Sequence, residues 1–254
     1  MKRNVIEEFK AKLKNEGVVG VFCKTCDPAF IEVLGYAGAD YVIIDLEHGP
    51  NSICNAQNLI RGAQVASVLP IVRTKESCQS VMSEALDIGA AGIQVPQITC
   101  KQDVLNVMER TKFSPAGNRG VCRFVRAADY SAKNRFDYFK EANECLTIIQ
   151  VEGQEGIDNI DEILDVDGID VLFIGPYDLS QSLGVPGEID NPLVEEKMLE
   201  IINRCAEKGV AVGTFTDTLE NAKKWKRLGV KYISYSVDVG IFYEAAKEII
   251  SKIN

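Results

Sequence analysis

Histidine is almost absent: His48 is the only one among 254 residues. That excludes a metal site built from several imidazoles and leaves imidazole acid–base chemistry with a single candidate. Long apolar runs are missing too, since no charge-free stretch approaches the ~18 residues a membrane helix requires. Positive charge is in deficit. With 28 Lys+Arg against 37 Asp+Glu, the formal charge is −9, which argues against nucleic-acid and anionic-membrane surfaces, both of which need clustered cations. The opening MKRNVIEEFKAKLKNEG is charged throughout and lacks the apolar stretch of a signal peptide, so a cytoplasmic protein is expected. No short-period repeat or low-complexity segment occurs. Cysteine is present, at 23, 26, 54, 78, 100, 122, 145 and 205, but scattered in a chain large enough to do without staples; free thiols are expected. Cys23 and Cys26 have CxxC spacing without a second CxxC or a nearby His, which favours ordinary thiols over a redox or metal site.

What is present is a rhythm. Short apolar runs at 18–23, 41–46, 69–73, 92–96, 147–152, 171–175, 211–215 and 232–237 predict eight strands. They are continuously apolar rather than alternating, as in a parallel sheet covered by helices. Between them lie helical patterns, the clearest being Val194, Met198, Ile201, Ile202 and Cys205, closed by Gly209, and Leu219, Ala222, Trp225 and Leu228, closed by Gly229. Eight such units without a linker predict a (β/α)8 TIM barrel as one domain over 1–254, an open doubly wound sheet being the alternative. Strand starts lie 55 and 40 residues apart after the fourth and sixth strands, against 21–28 elsewhere. Those insertions, holding 114–120 (SPAGNRG) with Arg123 and Arg126, and 184–192 (GVPGEIDNP), are expected at the edge where barrel active sites lie.

In a barrel the polar residues at the C-terminal strand ends are the first candidates for chemistry. The second strand runs out through Asp45, Glu47 and His48, and the third ends at Arg73. The fifth carries Gln150 and Glu152, and the sixth continues through Gly175, Pro176, Tyr177 and Asp178. Glu152 and Asp178 are either surface charges and loop caps or a carboxylate pair for a hard divalent cation such as Mg²⁺ or Mn²⁺. His48 is either a structural histidine or a base at a pocket rim. Arg73 is either a structural ion pair or a cation for an enolate or carboxylate.

The segments YVIIDLEHGPN, DIGAAGIQVPQ, GNRGV and above all IIQVEGQEGIDNIDEILDVDGIDVLFIGPYDLSQSLG resemble the HpcH/HpaI aldolase family over about residues 17–245. These are metal-dependent (class II) pyruvate aldolases, including 4-hydroxy-2-oxoheptane-1,7-dioate aldolase of aromatic compound catabolism and 2-keto-3-deoxy sugar-acid aldolases. The resemblance implies that His48 is the catalytic base, that Asp87 in LDIGA raises its basicity, and that Arg73 stabilises the transition state. It also implies Glu152 and Asp178 as ligands of Mg²⁺, Mn²⁺ or Co²⁺, and Gln150, Arg73 and the backbone from Gly175 through Pro176, Tyr177 and Asp178 as substrate contacts. The implied assembly is a homo-oligomer, a hexamer arranged as a trimer of dimers, with the C-terminal helix exchanged between neighbours. Thr74, Cys122, Gly153 and the Ser-Tyr-Ser of the eighth strand depart from the family pattern, and the first three border the site.

The expected reaction is reversible cleavage of a 4-hydroxy-2-oxo acid into pyruvate and an aldehyde, for example 4-hydroxy-2-oxoheptanedioate into pyruvate and succinic semialdehyde. Sugar-acid cleavage and oxaloacetate decarboxylation are alternatives on the same residues. A Schiff-base mechanism through Lys24 or Lys75, just beyond the first and third strands, is the rival chemistry. A barrel that binds pyruvate without turning it over is the rival class.

Overall fold

The computed structural model describes residues 3–75 and 79–253, which leaves Cys78 outside the described residues. In chain order the elements are α1 (Arg3–Asn15), β1 (Val18–Cys23), α2 (Pro28–Tyr36), β2 (Tyr41–Asp45), α3 (Ile53–Val65), β3 (Leu69–Arg73), α4 (Gln79–Asp87) and β4 (Gly92–Val95). They continue with α5 (Lys101–Thr111), a 3-10 turn (Arg126–Ser131), α6 (Arg135–Ala142), β5 (Leu146–Val151), α7 (Gln154–Asp158), α8 (Ile160–Leu164) and β6 (Val171–Ile174). The last are α9 (Pro176–Ser182), α10 (Pro192–Lys208), β7 (Ala211–Thr216), α11 (Leu219–Arg227), β8 (Tyr232–Val237) and α12 (Asp238–Ile253). All eight strands pair in parallel in sequence order, and β8 closes onto β1. The open-sheet alternative is thereby eliminated and the TIM barrel stands.

The barrel sorts its residues by the period of two along each strand. Val42, Ile44 and Val72 point outward to the helices, in a core shared with Leu59, Ile60, Met82 and Ile201. Tyr41, Ile43, Leu69, Ile71, Leu146, Ile148, Val171, Phe173 and Tyr232 point inward, and Ile6, Phe9 and Leu13 of α1 belong to this inner cluster. Tyr41 and Tyr232 stack with centroids 4.0 Å apart. That stack needs thin neighbours. A Cβ on Gly20 would stand 2.5 Å from the Tyr41 ring, and one on Gly213 would stand 2.9 Å from both Phe173 and Tyr232.

The same alternation carries polar residues to the upper end of the barrel. Counting inward positions along each strand gives Tyr41, Ile43 and Asp45; Leu69, Ile71 and Arg73; Gly92 and Gln94; Leu146, Ile148 and Gln150. Asp45 pairs with Arg73 in the β2–β3 register and Arg73 with Gln94 in the β3–β4 register. An apolar plug thus ends in a polar floor, and the strands that build the core also aim the site.

Several expectations are modified. α10 buries Val194, Met198, Ile201, Ile202 and Cys205 as its pattern predicts, with Asn191 accepting a hydrogen bond from Leu193 N at one end and Gly209 at φ 71° at the other. In α11 Trp225 is buried, but Leu219 lies in the first turn and is exposed. The 114–126 insertion does not crown the catalytic edge. It follows α5 rather than β4, so it lies toward the N-terminal end of the barrel. There Arg126 donates to Ile88 O and Gln64 Oε1, and Arg123 to Ser131 O. The extra sequence after β6, including α9 and 183–191, does follow a strand end. All described cysteines are free thiols, Cys23 buried and Cys26 exposed. Among the described residues no helix is long and apolar enough to cross a membrane.

Candidate active site

A cavity of about 300 Å³ opens at the C-terminal strand ends. His48, Arg73, Gln150, Gly175, Pro176, Tyr177 and Asp178 all line it, together with Phe22, Lys24, Phe173, Phe215 and Val237. Residues spread over the sequence thus converge because their strands are neighbours in one ring.

Arg73 is held rather than free. Its Nε and Nη2 donate to the two oxygens of Asp45 at 2.9 and 2.8 Å, and its Nη1 lies 2.9 Å from Glu47 Oε2. The guanidinium carbon also sits 4.7 Å above the Phe22 ring. Asp45 is fully buried. Burial alone would raise its carboxyl, but the hydrogen bonds and charge of Arg73, with the N–H groups of His48 and Glu47, outweigh burial and hold it below the ordinary range. Asp45 Oδ1 accepts from Glu47 N at 3.0 Å and His48 N at 3.3 Å. One buried carboxylate therefore anchors both the arginine and the backbone carrying the histidine. Sequence reasoning assigned Asp45 no role, although its inward register after Tyr41 and Ile43 was a usable signal.

His48 stands at the rim. Its side chain is 66% exposed, and Nε2 lies 3.7 Å from Glu47 Oε2. Asp87 is not its partner within one subunit. It ends α4, ahead of β4 and so at the opposite end of the barrel, where Arg119 Nη2 donates to its Oδ1 at 2.5 Å. Its place follows from the helix that carries it, because a residue at the end of a barrel helix faces away from the catalytic edge.

Glu152 follows β5 directly, the strand having begun at Leu146 and stopped at Val151. Gln94 Nε2 donates to Gln150 Oε1 at 2.6 Å, and Gln150 Nε2 donates in turn to Glu152 Oε1. This amide relay orients the carboxylate. Gln94 is itself fully buried with its Oε1 unpartnered, a second residue to which the sequence alone assigned no role. Asp178 lies in the first turn of α9, after Gly175 at the N-cap and Pro176 at the first helical position. A Cβ on Gly175 would come within 2.9 Å of Asp178 Oδ2, so glycine makes room for that carboxylate. Tyr177 O–H donates to Asp217 Oδ2 at 2.5 Å. That hydrogen bond, helped by burial and the charge of Asp217, pushes the phenol up to about 12.

Glu152 is electrostatically unlike an ordinary surface acid. Burial first, then the carboxylates of Glu47 and Asp178, raise it to about 7. Burial also raises Glu47, reinforced by Asp45 and Asp178 and opposed by Arg73. Such mutual repulsion is what a bound cation relieves. Among the described residues no three His, Cys, Asp or Glu side chains are gathered as a closed metal cage. Asp178 lines the cavity, and Glu152, bonded to the lining residue Gln150, is close enough to feel the charge of Asp178; such a carboxylate pair suits a hard cation that keeps water or substrate oxygens. Lys24 lines the cavity, whereas Lys75 is exposed and does not. A Cβ added at Gly153 would meet no atom within 4 Å, so its departure from the family pattern is not forced by space.

Comparison with known proteins supplies the ancestry of this arrangement. A family model described as HpcH/HpaI aldolase/citrate lyase matches residues 18–245. A protein of Escherichia coli O6:H1 named 5-keto-4-deoxy-D-glucarate aldolase is 31% identical over 244 residues, covering 95% of this chain and 94% of that protein. Among solved structures, a HpcH/HpaI aldolase/citrate lyase family protein from Burkholderia cenocepacia J2315 superimposes with a TM-score of 0.91 at 32% identity, over 97% of this chain and 98% of the other. The citrate synthase SbnG gives a TM-score of 0.86 at 30% identity, over 96% of each chain. Barrel and relatives agree: the chain belongs to the HpcH/HpaI aldolase/citrate lyase family and is an enzyme of the lyase class.

Proposed function

We propose that this enzyme is a class II, metal-dependent pyruvate aldolase that reversibly cleaves a 4-hydroxy-2-oxo acid into pyruvate and an aldehyde. The observation that carries the reading is that Asp178, the anchored Arg73 and the rim-placed His48 line one cavity, with Glu152 hydrogen-bonded to the lining residue Gln150 and raised by the charge of Asp178. Glu152 and Asp178 would hold the cation, and their hard oxygen donors suit Mg²⁺, Mn²⁺ or Co²⁺. Bound there, a divalent cation supplies Lewis-acid polarisation of the 2-oxo group.

The chain's own residues do the rest. Arg73 faces the cavity with a guanidinium that Asp45 prevents from swinging, so it donates to the oxygen that gains charge at C2 without reorganising. A donor preplaced in this way is worth about 3–4 kcal/mol in the transition state. Nε2 of His48 takes the proton of the C4 hydroxyl as the C3–C4 bond breaks and returns it to the aldehyde oxygen in the addition direction. Glu47 Oε2, 3.7 Å away, favours the imidazolium formed in between. Gln150 orients Glu152 through its amide, and Gly175, Pro176 and Tyr177 shape the wall beside Asp178.

On the aldehyde, the resemblance to an enzyme named 5-keto-4-deoxy-D-glucarate aldolase favours a sugar-acid substrate over 4-hydroxy-2-oxoheptanedioate. Oxaloacetate decarboxylation draws on the same groups as a side reaction. A homo-oligomer, assembled as a hexamer with exchange of α12, is part of the same proposal; the apolar residues that α12 exposes support it. The direct test is cleavage of 4-hydroxy-2-oxo acids, and aldol addition of pyruvate to a panel of aldehydes, before and after chelation. Activity should vanish with EDTA and return with Mg²⁺, Mn²⁺ or Co²⁺. Full activity after exhaustive chelation would refute the reading, as would binding of pyruvate without turnover of any member of the panel.

A further inference from the structure

Lys24 lines the cavity from the loop after β1, and the site described so far does not use it. In a closed ring of eight strands β1 stands across from β5, so Lys24 faces the cavity from the side opposite Gln150 and Glu152. Its backbone is fixed. Lys24 N donates to both oxygens of Asp238, at 3.0 and 3.1 Å, and Asn51 Nδ2 donates to Lys24 O at 3.4 Å. Gly49 packs close by, with a Cβ there only 3.6 Å from Lys24 Cα.

The ammonium, by contrast, is unpaired: among the described residues no hydrogen bond or ion pair engages Lys24 Nζ. Asp238, the acid that holds the Lys24 backbone, is occupied: its oxygens accept from Lys24 N, Thr25 N, Thr25 Oγ1 and Val239 N. The other permanent cation of the cavity, Arg73, is already paired with Asp45 and Glu47. Asp217, the acid beside the mouth, accepts the Tyr177 O–H.

We infer that Lys24 is a specificity-determining residue, its ammonium receiving a carboxylate carried by the aldehyde half of the substrate. This rests on the aldolase reading above. With the 2-oxo acid end at the Glu152–Asp178 wall, the remaining chain of the substrate extends across the cavity toward β1. A charged terminus there meets an unpaired cation, carried on a fixed backbone, in a cavity whose lining also includes Phe215 and Val237. Such a site rewards an anionic aldehyde and offers nothing comparable to a neutral one, since the gain is a charge-assisted hydrogen bond.

The experiment compares kcat/KM for addition of pyruvate, with Mg²⁺ or Mn²⁺, to succinic semialdehyde and to butanal, which has the same carbon count and no charge. The unaltered enzyme should prefer the semialdehyde. Lys24→Met should cut that preference about tenfold or more, the scale of a hydrogen bond to a charged group. Lys24→Arg should keep most of it, and Lys24→Glu should reverse it. An anionic-to-neutral ratio that is the same in the unaltered enzyme, Lys24→Met and Lys24→Glu would overturn the proposal. So would a borohydride-trapped pyruvate adduct on Lys24, which would make it a Schiff-base nucleophile. Exchange of the C3 protons of pyruvate for deuterium, measured on the unaltered enzyme with metal, tests the aldolase reading separately. Metal-dependent exchange with an unchanged ratio in the variants would sink only the role of Lys24, whereas no exchange and no addition would sink the aldolase reading itself.

Discussion

Asp45 and Glu47 flank the same guanidinium but contribute differently. Asp45 is fully buried and makes two directed hydrogen bonds to Arg73, while Glu47 reaches it through one ion pair whose Oε2 lacks hydrogen-bond geometry. Removing Asp45 leaves a buried cation only partly compensated, and such a break costs about 3–5 kcal/mol. Asp45→Ala should therefore lower the unfolding free energy by that order, read as a fall in the urea midpoint, as well as displacing the His48 loop. A variant of unchanged midpoint would mean that Glu47 alone satisfies Arg73. Glu152 yields a pH prediction. Its carboxyl is raised to about 7 in the folded chain by burial and neighbouring carboxylates, above the ordinary value it has when unfolded. The folded state then holds the extra proton, so in the presence of EDTA stability should fall as pH rises from about 5 through 7. Because cation binding requires the carboxylate, metal affinity should rise over the same interval and level off above it. Urea titrations and calorimetric metal binding at several pH values check both arms, and Glu152→Gln should flatten them.

At the level of elements, the α9 start shows how a backbone choice places a functional group. Gly175 precedes Pro176 and leaves open the volume that Asp178 Oδ2 occupies 2.9 Å from a hypothetical Cβ. Gly175→Ala should push that carboxylate aside and weaken metal affinity about tenfold, as displacement of a ligand's support does. Gly153→Ala is the matched control, since nothing lies within 4 Å of its Cβ position, and its affinity should be unaltered. The strands themselves were legible because apolar runs bounded by glycine and charge announce a buried parallel sheet, and Glu152, Asp178, His48 and Arg73 were legible as polar residues at strand ends. Asp45 stood among the strand-end polar residues without a role and Gln94 was not singled out, since an apolar run hides which of its residues point inward until the register is known. The 114–126 segment was misplaced for a related reason. An interval between strands does not say whether extra chain precedes or follows the helix, and here α5 starts soon after β4, at Lys101.

For the whole molecule, the surface of α12 poses the remaining physical question. Val239, Phe242, Tyr243, Ile249, Ile250 and Ile253 recur at the three- and four-residue spacing of one helical face, and all are exposed, Ile253 at 78%. Within α12 only Asp238 is buried. On α2 nearby, Phe30 meets the Phe242 ring edge-on at 6.4 Å, and Val33 and Tyr36 are exposed. A helix whose apolar face meets water gains little from being helical alone, because most helical stability comes from packing that face. Coverage by a second copy, as the proposed exchange of α12 requires, resolves this for an acidic chain of net charge −9, whose self-repulsion otherwise opposes association. Ile249→Asp with Ile250→Asp, chosen because neither position is tied to Phe30, should convert the assembly to smaller species in sedimentation velocity while leaving the barrel's far-ultraviolet dichroism intact. Each buried aliphatic side chain lost from such an interface removes about 1.5–3 kcal/mol, enough for the pair to dissociate the assembly at micromolar concentration. A double variant that sediments like the unaltered enzyme would show that α12 lies outside the subunit contacts.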